Sequence, residues 1–583
     1  MMSRFCLALG SDVAELLPML RDRLAQHFPH VAEQRDGALF CEGSALVIDM
    51  PAVDGWLVGR IFGSAGCDRL REIPSPLQRS VESTNGRSLL KHVFGSYVAI
   101  WREGGDGAWQ LMRDPSATQP VLFHHESGFT IIGSDVASME ATGLVPLRID
   151  WPMVAHQLRY SQVPTAQTCL VGISELLPGQ CARLDPEAAT VRQVWSPWTF
   201  RRPTRDAEAS PATLHRLAAA VDAAVAAWTN GFDRIGLELS GGLDSSILAS
   251  ALDRAKARWT GITFATEAAD GDERPYARLV TQRFGVELRE QVLGNSIMAI
   301  IDPPTRLMAR PGGASFFAGL DRLLRAESDA IGADAMFSGG GGDNVFCSIG
   351  STAPVIDARR AGGLALARRT FGDVAAATGS TLWQVGTALG HRWLADSVQT
   401  RQWLPEDRFL AGDVRPSPEG HPWLDLPPGT PPGLRAHIAA ILRSHPVLTA
   451  QDRFFDRRYA FPLLSQPVLE ACLSVPSWQW VAGGRDRAAV RDAFADRLPP
   501  AIVARRRKGR VESLTVRAYD RSRPELAVLL EHGLLAGAGL LDVPAILDCL
   551  SRPAQGGEAD YARILALADA ELWARGICGR SRA

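Results

Sequence analysis

Seven consecutive residues, Ser240-Gly241-Gly242-Leu243-Asp244-Ser245-Ser246, have the types and spacing of a phosphate-binding loop. They follow an alternating apolar run at 234–239 that predicts a strand, and they precede a helix predicted to begin near Ile247. Glycines let the backbone turn sharply and approach a ligand, and the N–H groups at a helix start point at an anion. A glycine turn that only caps a helix explains any three of these residues but not all seven. We therefore predict that this first loop holds phosphate through Ser240, Gly241, Gly242, Ser245 and Ser246, with Asp244 as a Mg²⁺ ligand.

A second glycine-rich segment, residues 337–344, reads Phe-Ser-Gly-Gly-Gly-Gly-Asp-Asn and follows a short strand predicted at 333–338. Four glycines alone are as often a flexible turn. At the carboxyl edge of the same parallel sheet, however, this second loop would face the first across the crevice where α/β folds bind ligands. Asp343 would then join Asp244 in holding magnesium on a polyphosphate. The further phosphate contacts predicted in this loop are Ser338, Gly339, Gly340 and Gly341.

The elements that must position these loops alternate between helix and strand. Helical spacing is found at 214–228, 247–257 and 276–284, and strand-like runs are found at 259–266 and 286–292. Strands that alternate with helices of about ten residues predict βαβ units and a parallel sheet. From residue 362 onward the chain is rich in Ala, Leu and Arg and predicts helices, interrupted by a proline-rich segment at 415–432.

The first 200 residues have a different texture, with short apolar runs separated by Gly, Pro and Asn, which predicts a mainly β domain. A segment with prolines and mixed charge follows it and predicts a linker. We therefore divide the chain into a domain at 1–200, a linker at 201–212 and a second domain at 213–583. The apolar runs lie at 45–50, 56–62, 96–101, 109–113, 121–124 and 130–133.

Composition excludes several classes of protein. The 62 basic and 64 acidic residues give a net charge of −2 over 583 residues, too little for whole-chain binding of nucleic acid or an anionic membrane. The nine cysteines are scattered and form no C-x-x-C pair, which argues against a disulfide framework and a structural zinc. Because no uncharged apolar stretch is long enough to span a membrane, we predict a soluble cytoplasmic protein.

The first loop resembles that of the pyrophosphate-loop (PP-loop) ATP pyrophosphatases, which share S-G-G-x-D-S and cleave ATP between its α- and β-phosphates. The whole chain resembles the asparagine synthetase family, in which a glutaminase domain precedes the synthetase domain. This resemblance implies an α/β two-domain fold: a β-rich, Ntn-hydrolase-like sandwich (a class II glutaminase) and a parallel-sheet PP-loop domain with helical additions, using ATP and Mg²⁺. The further segments that carry it are Gly95 to Trp101, Arg113-Asp114-Pro115, Gly133-Ser134-Asp135, Leu177-Pro178-Gly179, Phe461 to Leu464 and Arg505 to Lys508.

Two departures from the family pattern favour one branch. Working glutaminases of this type use an amino-terminal cysteine, whereas position 2 is Met2 and Cys6 lies in an apolar run, so we expect a degenerate domain without glutaminase activity. Gly340 stands where asparagine synthetases resemble one another in having Glu and β-lactam synthetases in having Tyr. A glycine there predicts added space for a bulky substrate, and the second loop looks like that of the lasso peptide isopeptide-bond-forming cyclases.

The lasso cyclase resemblance implies adenylation of an Asp or Glu side chain of a precursor peptide, followed by attack of the peptide's own amino terminus. It also implies a separate leader peptidase and a leader-recognition protein as partners, and neither nucleic acid nor membrane. Thr263 and Phe264, near the end of the second strand, could line the adenine pocket, although Phe264 is as often simply core. Asp272 and Glu273 most simply cap the following helix.

Lys508 is the predicted catalytic residue. The chain has three lysines, Lys91, Lys256 and Lys508, and only the last lies in a basic run, among five basic residues. A compact ammonium suits a site too narrow for a guanidinium fork, and at about 4 Å from an oxyanion it gains roughly 4 kcal/mol at an effective dielectric near 20. The family resemblance also places a catalytic lysine here. Basic residues that could bind substrate or only brace a helix are Arg485, Arg487 and Arg491.

Alternatives remain open at this point. Another amide-forming ligase of the family, such as an ammonia-dependent asparagine synthetase or a β-lactam synthetase, is disfavoured by Gly340. A tRNA-thiolating PP-loop enzyme would need a basic RNA-binding domain and usually a persulfide cysteine. The near-neutral net charge and the lack of a paired thiol disfavour this class. A non-enzymatic scaffold that binds a peptide or partner enzyme is disfavoured by the two intact loops, although residues 1–200 alone could serve that way.

Overall fold

A computed structural model describes most of the chain, and all structural statements below concern the residues it describes. No helix within them is long and apolar enough to cross a membrane. The described residues are 3–43, 47–66, 68–104, 107–161, 163–266, 272–294, 306–312, 314–348, 350–396, 405–412, 420–450, 459–506, 512–554 and 560–580.

The first 200 residues form two antiparallel sheets. One sheet has the order β10-β8-β9-β1-β3-β2 and the other has the order β12-β11-β7-β6-β5-β4. The six predicted strands of this region coincide with β4 to β9, which confirms the β-rich prediction. The strands are β1 (Phe5–Leu9), β2 (His30–Gln34), β3 (Gly37–Cys41), β4 (Val47–Met50), β5 (Gly55–Gly63), β6 (Val93–Arg102), β7 (Trp109–Arg113), β8 (Leu122–Glu126), β9 (Phe129–Gly133), β10 (Ser174–Glu175), β11 (Gln180–Leu184) and β12 (Ala189–Gln193).

The two sheets share one apolar core because successive side chains of a strand point to opposite faces. In β1, Phe5, Leu7 and Leu9 enter that core, whereas Cys6 and Ala8 face the other side. Trp56 and Trp109 stack within it, with ring centroids 5.9 Å apart. The helices of this region are α1 (Val13–Leu24), α2 (Ser75–Ser83), α3 (Arg87–His92), α4 (Val136–Glu140) and α5 (Trp151–Arg159).

A five-stranded parallel sheet forms the centre of the second half, in the order β15-β14-β13-β16-β17. The prediction of a parallel sheet is therefore confirmed, and β14 has the predicted bounds. The first loop follows the central strand β13 and the second loop follows its neighbour β16, so both lie at the carboxyl edge. The strands are β13 (Ile235–Glu238), β14 (Trp259–Thr266), β15 (Leu288–Leu293), β16 (Ala335–Phe337) and β17 (Tyr459–Ala460).

Helices surround this sheet and dominate the rest of the chain, as predicted. The first begins at Pro211, inside the predicted linker, with the Ser210 hydroxyl accepting from the Thr213 N–H. The helices are α6 (Pro211–Thr229), α7 (Leu243–Arg254), α8 (Arg274–Phe284), α9 (Ala314–Ala330), α10 (Gly342–Val345), α11 (Ala353–Thr378), α12 (Leu382–Asp396), α13 (Pro432–Ala450), α14 (Gln466–Leu473), α15 (Ala488–Ala493), α16 (Pro500–Val503), α17 (Glu512–Arg521), α18 (Arg523–Glu531), α19 (Leu534–Gly537), α20 (Val543–Leu550) and α21 (Asp560–Arg580).

The two halves share their apolar cores. The β4-to-β7 sheet packs on α6 and α14, and Phe62 meets Trp228 edge to face with ring centroids 5.1 Å apart. The outer face of β1 joins a second core that includes Leu530 of α18 and Trp573 of α21. The sandwich is therefore covered on both sides by later parts of the chain. The division at residues 200 and 213 stays a prediction.

Candidate functional site

The first loop turns sharply between β13 and α7. Gly241 has a φ of +65°, in the left-handed region that glycine tolerates best. A Cβ atom at this position would lie only 2.5 Å from the Cβ of Tyr276, so glycine is also required by the close approach of α8. The helix α7 then begins at Leu243, directly after the turn, and aims its first N–H groups at the carboxyl edge of the sheet.

The serines of the first loop differ in their contacts. The Gly242 N–H donates to Ser240 Oγ at 3.3 Å, and Ser240 Oγ lies 3.4 Å from Ser245 Oγ. Ser246 is fully buried, and its hydroxyl donates to the Gly242 carbonyl at 2.7 Å. The Ser245 hydroxyl donates to the same carbonyl at 3.3 Å. Ser240 therefore lies at the turn itself, whereas Ser245 and Ser246, both predicted as phosphate contacts, also use their hydroxyls to brace the first turn of α7.

The second loop packs directly on Asp244 of the first. A Cβ at Gly342 would lie 2.8 Å from both Cβ and Cγ of Asp244, and a Cβ at Gly339 would lie 3.1 Å from the Ser245 nitrogen. Only glycine permits this approach at Gly342, because real side chains do not come so close. The two loops thus meet across the ends of β13 and β16, which is the arrangement that the predicted adjacency of their strands requires.

Asp244 and Asp343 converge on a single guanidinium. Arg487 Nη1 donates to both carboxylate oxygens of Asp244 at 3.1 Å and also to Asp343. Arg487 Nε donates to Asp486 at 2.8 Å. Burial lowers the pKa of Arg487, but the three carboxylates raise it more, so its pKa lies above the ordinary value. The two carboxylates therefore surround one strongly cationic position.

This convergence fits a magnesium site. The described residues contain no cluster of three or more His, Cys, Asp or Glu side chains arranged as metal ligands. Mg²⁺ needs no such cluster, since it is often bound by one or two carboxylates together with substrate phosphates and water. Asp244 and Asp343, drawn to the same positive charge beside a phosphate-type loop, are suited to that mode of binding.

Three arginines near α15, considered together from sequence, have different surroundings. Arg485 pairs with Asp492 at 2.7 Å, away from the loops. Arg491 is buried and donates to the Asp486 and Val503 carbonyls, each at 2.7 Å, so it braces the chain around α15 and α16. Of these three arginines, Arg487 contacts the site carboxylates, and its φ of +56° shows that the backbone turns at this residue.

The expectation of added space at Gly340 is wrong. A Cβ at this position would lie 3.2 Å from Cε1 of Phe461 and 3.3 Å from Cδ2 of Leu448. Both side chains are buried, with exposed fractions of 2% and 5%. Two apolar side chains from the segment after β17 and from α13 occupy the volume that a larger residue would need. The glycine therefore places an apolar wall, and not an opening, beside the second loop.

Arg505 secures the first loop from the other side. It donates to the Gly241 carbonyl at 3.0 Å and to Glu273 at 2.7 Å, and its guanidinium lies 3.8 Å from the centroid of the Tyr276 ring. Glu273 is the N-cap residue of α8, as predicted, but its side chain makes no capping hydrogen bond. The side chain is buried and pairs with Arg505 instead.

Asp272 has a local role: its carboxylate accepts from the backbone N–H and the guanidinium of Arg274 in the first turn of α8. Lys508, the predicted catalytic residue, lies outside the described residues, which stop at Arg506 and resume at Glu512. Its placement relative to the loops is therefore untested.

Thr263 and Phe264 lie beside the first loop but not at the end of their strand, since β14 continues to Thr266. Ile262 pairs with Glu238, the last residue of β13. Thr263 and Phe264, which follow Ile262 in β14, therefore lie beside the start of the first loop. Thr263 is buried, and its hydroxyl has no hydrogen-bond partner within the described structure. Phe264 is partly buried against the core. Their role at an adenine ring stays a prediction.

Glu238 is a site residue that the sequence reasoning missed. The Ser338 hydroxyl donates to its carboxylate at 2.5 Å and the Tyr459 hydroxyl at 3.2 Å, which ties the ends of β13, β16 and β17 together. The Gly340 N–H donates in turn to Ser338 Oγ at 3.2 Å. Ser338 thus shapes the second loop from below. An acidic residue at the end of a buried strand was the signal that could have identified Glu238.

The segments of the amino-terminal half that resemble a glutaminase form a buried polar group. Arg113 donates to Glu175 at 2.8 Å, and Asp114 accepts from the backbone of Tyr97 and Ser116. Cys6, interpreted as a small buried apolar residue, is 1% exposed, and burial raises the pKa of its thiol. Cys6 is therefore a core residue.

Comparison with known proteins adds the following findings. No curated protein matches the chain. Among solved structures, the allosteric regulatory enzyme of purine biosynthesis is 9% identical and has a TM-score of 0.20, with 52% of this chain and 82% of that chain covered. Glutamine phosphoribosylpyrophosphate amidotransferase from B. subtilis, complexed with ADP and GMP, is 11% identical and has a TM-score of 0.21, with 58% and 90% covered.

The profile of a family described as asparagine synthase matches residues 216–575, which is more than half of the chain and includes both loops. The match ends beyond the start of α21 and spans every strand of the parallel sheet. An ATP-dependent amide-forming ligase of this type needs a site for a polyphosphate, and both loops lie within the matched residues. The chain belongs to the asparagine synthase family.

Proposed function

We propose that this ligase forms an isopeptide (macrolactam) bond in a precursor peptide, as in lasso peptide biosynthesis. The observation that carries the proposal is Gly340 with its apolar wall. The position where asparagine synthetases resemble one another in having Glu carries no side chain, and Phe461 and Leu448 fill the adjacent volume. A peptide α-amine, with an ordinary pKa of about 7.7–8.0, is partly neutral at physiological pH and can attack without a dedicated carboxylate base at that position.

The proposed reaction has two steps. An oxygen of an Asp or Glu side-chain carboxylate attacks the α-phosphate of ATP, so that an acyl-adenylate forms and pyrophosphate leaves. The peptide's amino terminus then attacks the acyl carbon, loses a proton, and displaces AMP to give the amide. The N–H groups at the start of α7, with Ser240 and Ser245, would hold the phosphates. Magnesium held by Asp244 and Asp343 would offset the charge of the departing pyrophosphate.

The chain's own arginines support this arrangement. Arg487 compensates the charge of the two carboxylates when they have no other cation, which lets them lie close together. Arg505 fixes the first loop through the Gly241 carbonyl and leaves the loop's N–H groups directed at the ligand. These contacts hold the phosphate site in a fixed geometry before the substrate arrives, which is how electrostatic stabilisation becomes effective in a transition state.

Lys508 is proposed to stabilise charge on the reacting phosphate and acyl oxygens. Lys508→Ala should lower the rate of product formation by about 10²–10³-fold with little change in the affinity for ATP. Lys508→Arg is the matched test of the compact-cation argument and should recover little activity. Lys91→Ala, at an exposed position on α3, is the control and should leave the rate unchanged. Near-native turnover of Lys508→Ala would remove the residue from the mechanism.

The substrate class is tested by pyrophosphate release from ATP in the presence of candidate acids. A peptide with an amino-terminal Gly about seven to nine positions before an Asp or Glu should stimulate release and lose one water in mass. Free aspartate with ammonium is the comparison. Stimulation by aspartate, without stimulation by any such peptide, would contradict the macrolactam proposal and favour an asparagine synthetase. A leader peptidase and a leader-recognition protein are the proposed partners in supplying the free amino terminus.

A further inference from the structure

A second, cationic cleft of about 270 Å³ lies next to the phosphate site. Its walls come from the segment after α10, from α12 and from α13. Three arginines, two serines and three small residues form the described lining: Arg392, Arg435, Arg443, Ser348, Ser351, Gly350, Ala436 and Ala439. This composition is that of a site for an anion, because several guanidiniums share one small volume.

Ser348 joins this cleft to the phosphate site. Its N–H donates to the Asp343 carbonyl at 2.8 Å, and its hydroxyl donates to Asp486 at 3.1 Å. Asp486 in turn accepts from Arg487, which contacts both Asp244 and Asp343. A ligand in the cleft would therefore lie one residue away from the group of side chains that is proposed to hold the magnesium.

The helix α13 is shaped for such a ligand. Ala436, Ala439 and Arg443 have the i, i+3, i+7 spacing of one helix face, and Arg435 stands beside its start. The two alanines leave room between the two long side chains. Burial lowers the pKa of the Arg443 guanidinium, which means that the protein withdraws this cation from water.

Arg392 closes the opposite wall. Its Nη1 donates to Ser351 Oγ at 3.0 Å, which fixes the plane of the guanidinium. Its Nε is buried and has no hydrogen-bond partner within the described structure. A planar oxyanion could accept from this group, and guanidinium forks match carboxylates in a bidentate manner.

We propose that this cleft binds a second carboxylate of the acid substrate, distinct from the carboxylate that is activated by ATP. The inference rests on the proposed function and deepens it, since it makes the substrate an acidic peptide that is held at two points. A carboxylate bound here would anchor the peptide while its reactive side chain reaches the phosphate site. A phosphate of ATP offers the same oxyanion chemistry, so the test must separate the two sources.

The test uses the full chain with Arg443→Gln and Arg435→Gln, and with Arg552→Gln as a control at an exposed ion pair with Asp548, just after α20. The probe is a synthetic peptide with a free amino-terminal Gly and a ring-forming Asp, prepared as the C-terminal acid and as an analogue in which every other carboxylate is an amide. Loss of a charged hydrogen bond of 1.5–3 kcal/mol should raise the KM for the acid peptide about 10–100-fold in both variants. The KM for MgATP should not change.

The amide analogue supplies the decisive comparison. Wild type should bind it as weakly as Arg443→Gln binds the acid, and Arg443→Gln should not distinguish the two peptides. A raised KM for MgATP with an unchanged KM for the acid peptide would assign the cleft to ATP and overturn the inference. Equal use of the acid and amide peptides by wild type would also overturn it, and would leave the macrolactam proposal intact.

A binding measurement separates this inference from the proposed function. Thermal stabilisation by each peptide and by MgATP can be followed without turnover, and retained stabilisation by MgATP shows that the variants are folded. If no peptide is cyclised, yet the acid peptide raises the Tm of wild type and not of Arg443→Gln, the inference stands while the macrolactam proposal fails. If the acid peptide neither reacts nor stabilises wild type, the inference is overturned.

Discussion

Charged residues are used in opposite ways in the two halves of the molecule. In the amino-terminal sandwich, Arg113 is 1% exposed. Its guanidinium donates hydrogen bonds to Glu175 at 2.8 Å and to the Leu176 carbonyl at 2.7 Å. At the loops of the parallel sheet, Arg487 also bridges carboxylates, but the side chain of Asp343 is 50% exposed. One group is closed within the fold, and the other reaches solvent through Asp343 at the proposed ligand site.

This difference separates structural charge from functional charge. A closed group such as Arg113 with Glu175 has exchanged water for protein partners, so its removal should damage the fold more than the chemistry. The group of Asp244 with Asp343 is proposed to hold a cation on a polyphosphate, so its removal should damage the chemistry more than the fold. The predictions below test this separation.

The largest effect is expected from Arg113→Met, which removes one partner of a buried ion pair. The change should lower the free energy of unfolding by about 3–5 kcal/mol, because Glu175 keeps Arg310 but loses Arg113, and the buried Leu176 and Ala117 carbonyls lose their donor. Urea denaturation measures this loss, and ATP-dependent pyrophosphate release per folded molecule should stay near that of wild type. Arg183→Met, at a part-exposed pair with Asp185, is the control and should cost at most about 1 kcal/mol. Equal stability of the two variants would contradict the separation.

Asp244→Asn should have the reverse profile. Loss of the carboxylate should slow pyrophosphate release by about 10²–10³-fold, equivalent to roughly 2.7–4 kcal/mol of transition-state stabilisation. The urea midpoint should not fall, since the side chain keeps its packing against Gly342. Asp253→Asn, at an exposed position on the same helix, serves as the matched control and should be active. An unstable but catalytically normal Asp244→Asn protein would show that this carboxylate is structural.

Gly342→Ala should have a smaller effect, and it should lower both the stability of the fold and the activity. The added methyl group would lie 2.8 Å from Asp244 Cβ, so the loops must separate at a cost of about 1–3 kcal/mol. The concentration of Mg²⁺ required for half-maximal activity should rise, because the two carboxylates move apart. Gly372→Ala, in α11 with open space around it, is the control. An unchanged Mg²⁺ requirement would mean that the contact between the loops does not position Asp244.

The smallest effect is a dependence on pH in the sandwich. Burial raises the pKa of Asp114 to about 6, so the fold favours its protonated form. A group with a raised folded-state pKa adds stability at low pH and loses that contribution as the pH rises through its folded pKa. The urea midpoint of wild type relative to Asp114→Asn should therefore fall between about pH 4 and pH 7. A constant difference across this range would show that Asp114 does not titrate as described.

Much of the fold could be predicted because its signals are local. Short apolar runs separated by Gly, Pro and Asn identified β5, β6 and β7, and the alternation of strand and helix identified the parallel sheet. The hairpin of β2 and β3 was missed, although the Asp36-Gly37 pair at its turn is a strong hairpin signal. The strand β1 was also missed, although its five apolar residues form a run of the same kind as β7 and are likewise all buried.

The candidate site could be predicted only where its residues are close in sequence. Each loop was identified from its own residues. The adjacency of the two loops followed from the predicted order of the strands. Arg487 lies more than 140 residues from both aspartates, so its bridging contact depends on how α15 returns to the sheet. The error at Gly340 has the same origin. The sequence shows that a side chain is missing, but only the fold shows that Phe461 and Leu448 occupy the space.

The shared core beneath β1 has a consequence for how the protein folds during its synthesis. Leu530 and Trp573, which complete that core, are synthesised more than 500 residues after Ala8. The Arg563 guanidinium also donates to the Leu158 carbonyl at 2.8 Å, across 405 residues. Domains usually fold as units during translation, amino-terminal first. Here the sandwich would leave the ribosome with both outer apolar faces uncovered, and the face beneath β1 would stay uncovered until α18 and α21 emerge.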